Sequence, residues 1–91
     1  MLLKTRIIGS RDCPKCAIMK SICEKYKISY EMYDADVQEN QKQLDEWNIE
    51  EMPVIQIIDE FGKKLHQFMP GIVSINGINI MMDKINKHKI Y

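Results

Sequence analysis

The sequence has no excess of charge of either sign, because thirteen Lys and Arg are matched by thirteen Asp and Glu. No global field recruits nucleic acid or an anionic membrane, so a partner is expected to be recognised through shape and a local site. Long apolar runs are missing as well. The opening Met1-Leu2-Leu3-Lys4-Thr5-Arg6-Ile7-Ile8 is interrupted by charges far short of a signal-peptide core or a membrane span, and a cytoplasmic protein is the expectation. Cysteine is scarce. Three in 91 residues are too few, and odd in number, for a disulfide scaffold, so a close pair in a reducing compartment points to catalysis or metal binding. Linkers, low-complexity tracts and internal repeats are absent, and the length suits one hydrophobic core without a separate cofactor domain. One domain over residues 1–91, acting as a monomer, is expected.

What is present is a sequence of short periodic segments. Leu3 to Gly9 is β-branched and apolar enough for a buried strand, ended by the turn Gly9-Ser10-Arg11-Asp12. From Pro14, which suits a first helical turn, Ile18, Met19, Ile22, Cys23 and Tyr26 recur at spacings of three and four and predict a helix with one buried face. Ile28 to Tyr33 is rich in strand formers, and a right-handed crossover makes it parallel to the first strand. Asp36 is placed to cap a helix from about Val37 to Trp47, with Leu44 and Trp47 on its buried side. Val54 to Ile58, a turn at Asp59-Glu60-Phe61-Gly62, and Lys64 to Phe68 read as an antiparallel hairpin. After Met69-Pro70-Gly71, the residues Ile72, Ile75, Ile78, Met82 and Ile85 form a helical stripe, although Gly77 within it costs about 1 kcal/mol relative to alanine. The order β-α-β-α-β-β-α makes an α/β fold.

The chemistry concentrates in Cys13-Pro14-Lys15-Cys16. A cysteine just before the first helical residue puts its sulfur where an N-cap oxygen would sit, within reach of the amides of Lys15 and Cys16. The helix terminus then favours the thiolate of Cys13; Arg11 and Lys15 add to this and Asp12 opposes it. Cys13 is the expected nucleophile. Cys16, one turn on, lies within disulfide range and can resolve a mixed disulfide. Cys23 is seven residues beyond Cys16, about 10 Å along the helix, past the roughly 7 Å limit for a disulfide, and reads as a small apolar core residue. Pro53 suits a strand start, where a missing amide is tolerated. His66 and His88 are far from the motif and receive no catalytic role.

A Cys-x-x-Cys segment is also half of a zinc knuckle, which needs four ligands. No second such segment exists and only two scattered histidines remain, so no metal is expected. A binding module whose cysteines are incidental is the remaining alternative, since fold alone does not establish activity.

Cys13-Pro14-Lys15-Cys16 after a first strand, Met52-Pro53-Val54 before a third, and this element order together resemble the glutaredoxins of the thioredoxin superfamily, over essentially the whole chain. The resemblance implies a thioredoxin-like mixed four-stranded sheet with helices on both faces. It implies that Cys13 attacks, that Cys16 resolves, that the two form a redox-active disulfide, and that a cis Pro53 faces the pair and shapes the substrate groove. Arg11, Lys15, Met52, Pro53, Gly71 and Ile72 become the candidates for contacting substrate or glutathione. Glutathione is then a co-substrate rather than a tightly bound cofactor.

Two positions depart from the family pattern. Lys15 stands where glutaredoxins often have tyrosine, and Pro70-Gly71-Ile72-Val73-Ser74 replaces the Gly-Gly and acidic residues that hold the γ-glutamyl end of glutathione in many of them. Phe68-Met69-Pro70-Gly71 looks more like the turn of glutaredoxin-like redoxins that serve ribonucleotide reductase and are reduced by thioredoxin reductase. Thioredoxin reductase is therefore the alternative electron donor, and disulfide-containing proteins, ribonucleotide reductase among them, are the expected partners. Cluster-binding glutaredoxins usually carry a single cysteine followed by Gly-Phe-Ser, which Lys15 and Cys16 do not match.

Overall fold

The computed structural model describes residues 2–88, with His88 lacking a described side chain, so the expectation about His88 lies outside the described residues. The centre of the molecule is built by its most apolar segments. Strand β1 (Leu3–Gly9) and strand β3 (Val54–Asp59) pair antiparallel, and every residue of β3 is buried. A strand covered on both faces needs a near-continuous apolar run, which Val54-Ile55-Gln56-Ile57-Ile58 supplies apart from Gln56. Strand β2 (Tyr30–Asp34) pairs parallel with β1, as expected of the crossover through helix α1 (Pro14–Lys25), and begins two residues later than the periodicity predicts. Strand β4 (Lys64–Gln67) pairs antiparallel with β3 across an irregularity at Ile57/Ile58, giving the order β2-β1-β3-β4.

Alternation along β1 then assigns the helices to two faces. Ile7 and Ile55 pack with Met19 and Cys23 of α1 and with Ile78 of helix α3 (Ile75–His88). Ile8 and Val54 point the other way, against Ala35, Leu44 of helix α2 (Gln41–Glu46), and Ile49. The expected α/β architecture, a mixed four-stranded sheet with helices on both faces, is the one observed.

Three local expectations are corrected. Ile18 and Tyr26 are half exposed, because α1 needs only Cys16, Met19 and Cys23, with Ile22 at the margin, to cover its side of the sheet. Residues 37–47 form a three-residue 3-10 turn (Gln38–Asn40) followed by the short α2, and Asp36 does not cap it. Its carboxylate instead accepts the backbone N–H of Arg11 at 3.0 Å. Finally, α3 starts at Ile75, so Ile72 lies outside the helix and is 46% exposed. Gly71 holds a φ of +128°, which no helix contains, and the Ser74 hydroxyl accepts the N–H of Gly77 at 3.1 Å. Replacing Ser74 with alanine removes this cap and is expected to cost about 1 kcal/mol in a urea titration, whereas Ser74→Asp should be nearly neutral.

The β3–β4 turn is fixed by its own polar groups. Asp59 accepts the N–H groups of Phe61 and Lys63, each at 2.9 Å, and Gly62 takes a φ of +84° that favours glycine. On β4, His66 packs edge-on against Phe68 with ring centroids 4.6 Å apart, and burial lowers its pKa from the ordinary 6.5. The unfolded chain therefore takes up this proton first as pH falls. Stability is retained above 6.5 and lost downward through the window ending at the lowered folded value. Denaturation midpoints measured at pH 7.5 and 5.5 should fall less for His66→Gln than for the parent chain.

Candidate functional site

The turn after β1 delivers Cys13 to the first turn of α1. Cys13 has extended backbone angles, φ −116° and ψ 98°, and is the N-cap residue: its sulfur accepts the N–H of Cys16 at 3.2 Å, and its carbonyl accepts from Cys16 and Ala17. Of the two amides expected to face the sulfur, Cys16 does so. Pro14 starts the helix, where its missing N–H leaves nothing unsatisfied. The helical spacing brings the Cys13 and Cys16 α-carbons to 5.2 Å, and the two residues are joined in a disulfide.

The two sulfurs have unlike surroundings. Cys13 is half-buried at the rim, while Cys16 is 3% exposed beneath it. Cys23 is free and fully buried among Ile7, Met19, Ile55 and Ile78, as expected of a core residue, and burial followed by the nearby Glu24 charge raises its pKa above the ordinary thiol value. It is held as a neutral thiol.

Around the disulfide, Ser10, Asp12, Cys13, Pro14, Lys15 and Met52 line one open depression. Arg11 turns to an adjoining hollow with Gly9, Met32, Tyr33 and Asp34, held in place through its backbone by Asp36. The Met52–Pro53 peptide is cis, and Pro53 is fully buried, so Met52 rather than the proline ring lines the depression. Gly71 is tied to this loop by its N–H, which donates to the Pro53 carbonyl at 2.8 Å. Val73 donates to the Met19 sulfur at 3.3 Å, fixing the same segment to α1. Neither Gly71 nor Ile72 lines the depression with Cys13; Gly71 is joined to it only through Pro53, and Ile72 is half exposed on the same loop. Among the described residues no group of three or more His, Cys, Asp and Glu side chains could hold a metal ion.

Sequence reasoning missed two supports of this site. Asp36 carried a helix-cap signal and spends its carboxylate on Arg11 instead. Gly9 reads from the sequence as a strand end opening a turn, yet a β-carbon there would lie 2.5 Å from the Cys16 sulfur.

This combination of sheet, helices and N-capping Cys-x-x-Cys disulfide defines a thioredoxin-like fold. Comparison with known structures shows the same fold. Thioredoxin 1 of Thermosipho africanus TCF52B superposes with a TM-score of 0.64 at 18% identity, over 97% of this chain and 99% of that one. A thioredoxin-like protein of Clostridium perfringens gives 0.67 at 16% identity, over 91% and 70%. The reduced thioredoxin pre-protein of Schistosoma mansoni gives 0.60 at 26% identity, over 90% and 77%. No family profile and no curated protein sequence matches the chain.

Proposed function

We propose that this chain is a thiol–disulfide oxidoreductase of the glutaredoxin type that reduces protein or glutathione mixed disulfides. The observation that carries the reading is the unequal pair: a half-buried Cys13 whose sulfur caps α1, bonded to a Cys16 sealed beneath it. In the reducing direction the Cys13 thiolate attacks a substrate disulfide, forming one S–S bond and releasing one substrate thiolate. The Cys16 thiolate then attacks the Cys13 sulfur, breaking that mixed disulfide and releasing the second thiolate. Two electrons and two protons have passed to the substrate, and the Cys13–Cys16 disulfide remains for an external dithiol, or two thiols, to reduce.

The helix N-terminus, with Arg11 and Lys15 exposed nearby, supports the thiolate at Cys13. Glutathione is the first reductant in this reading and thioredoxin reductase the second, with the altered Pro70-Gly71-Ile72 segment favouring the latter. Met52 then borders the bound partner, with Pro53 holding its loop from beneath and Gly71 and Ile72 on the neighbouring loop, and the partner is a disulfide-containing protein such as ribonucleotide reductase. The reading includes a monomer working in the cytoplasm without nucleic acid or membrane. Among the described residues no helix is long and apolar enough to cross a membrane.

The test follows NADPH oxidation with a disulfide substrate in two arms, one supplying glutathione and glutathione reductase, the other thioredoxin reductase. Turnover in the first arm supports the glutaredoxin assignment; turnover in the second alone supports the thioredoxin-reductase-linked redoxin. An intact protein inactive in both would sink the enzymatic reading in favour of a binding module. Cys16→Ser should accumulate the partner as a mixed disulfide on Cys13.

A further inference from the structure

The Cys16 sulfur rests directly on the backbone of β1. Gly9 is the last residue of that strand, is buried, and pairs with Asp34 while its carbonyl accepts the Ala35 N–H at 2.9 Å. The strand end is therefore held between neighbours on its own sheet. Alternation places position 9 on the same face as Thr5 and Ile7, the face covered by α1. A β-carbon built at Gly9 meets the Cys16 sulfur at 2.5 Å and the Cys16 β-carbon at 3.0 Å, inside the roughly 3.5–4.0 Å at which heavy atoms pack. Glycine is needed here for room, and the groups it makes room for are those of the redox pair.

We propose that Gly9 is a positioning residue that sets the balance between disulfide and dithiol by giving the Cys16 sulfur its seat. The proposal rests on the reading that Cys13 and Cys16 cycle between these states. In the disulfide, the Cys16 sulfur is bonded to Cys13 and cannot turn away from position 9. In the dithiol that bond is gone, and the side chain is free to take another staggered rotamer. A methyl group at position 9 therefore opposes the oxidised state more than the reduced one.

The test is equilibration of wild-type and Gly9→Ala proteins with mixtures of dithiothreitol and its cyclic disulfide, followed by acid quench and separation of the two protein forms. In this exchange the protein loses two S–H bonds and gains one S–S bond. The cyclic disulfide is opened and takes up the same two electrons and two protons. For Gly9→Ala the ratio of disulfide to dithiol is expected to fall about tenfold, a rise of about 30 mV in potential. An unchanged ratio, or a shift toward disulfide, overturns the proposal.

A second measurement covers a variant too unstable to titrate. Urea unfolding of each redox form against its own parent then reads the same difference: Gly9→Ala should cost clearly more stability in the disulfide form, where the Cys16 sulfur is fixed against position 9, than in the dithiol form. Equal costs in the two forms overturn the proposal. Because dithiothreitol needs no protein substrate, an enzyme assay that fails alongside a normal titration removes the proposed function alone. A wild-type pair that never forms its disulfide removes both.

Discussion

Replacing Cys13 with serine is expected to reduce turnover to the background rate in both reductase arms while leaving the fold in place. A hydroxyl is not ionised near neutral pH and does not exchange with disulfides, so the attacking group is lost outright. The helix should survive, because the Cys13 sulfur accepts only the Cys16 N–H, and serine is among the best residues for accepting that bond as an N-cap. Circular dichroism of the variant should therefore match that of the reduced parent. Cys16→Ser should behave differently, completing the attack and stalling at the mixed disulfide. Residual turnover in the Cys13 variant, together with trapping on Cys16, would reverse the order of attack.

The largest loss of stability is expected from Arg6→Ala. Arg6 is 8% exposed, yet each of its three guanidinium nitrogens has a partner: Nε donates to Glu31 at 3.0 Å, Nη1 to Gln56 at 3.1 Å, and Nη2 to the Gly62 carbonyl at 2.9 Å. It also lies over the rings of Tyr33 and Trp47, 5.6 Å and 5.2 Å from their centroids. Gln56, itself fully buried, continues the chain to Gln67, which reaches the Trp47 carbonyl. Removing the cation takes this donor from the buried Gln56 side chain on β3 and from the Gly62 carbonyl of the hairpin turn, and leaves Glu31 on β2 with Lys4 alone, 3.6 Å away. The expected cost is about 2–4 kcal/mol, at about 1–3 kcal/mol for a buried acceptor left without its donor, a large share of what a small domain possesses. Lysine offers one point charge instead of a fork and should recover only a minor part. A urea midpoint for Arg6→Ala within about 1 kcal/mol of the wild type would mean the network contributes little.

Arg6 also shows where sequence reading stops. In the linear chain it is a charge breaking an apolar run. Only pairing of β1 with β3 and β2 brings Gln56, Glu31 and Gly62 around it, and contacts between residues 25 to 56 apart leave no local trace. The legible parts were those governed by short-range rules. The bounds of β1, the parallel β2, the hairpin and the placement of Cys13 at the start of α1 all follow from period, turn chemistry and capping. Cap competition misled the reading of Asp36, because the same carboxylate that suits an N-cap also suits the free amide of Arg11 across the loop. Ile72 fitted the helical period, but Gly71 and Ser74 decided where α3 begins. Gly9 was legible as a residue and not as a seat, since steric room is a property of the neighbour it faces.

The segment before α3 has a further consequence for whatever binds at the site. Its amides are anchored at Gly71 to the Pro53 carbonyl and at Val73 to the Met19 sulfur, both partners being fully buried residues. From this pinned backbone, Met69 at 86% exposure and Ile72 at 46% project into solvent. A partner that covers them must order side-chain rotamers, about 0.5–2 kcal/mol each, but is spared the roughly 1–2 kcal/mol per residue of fixing the chain. Such apolar contacts give adaptable adhesion at a small entropic cost, which suits the repeated binding and release that the proposed function requires.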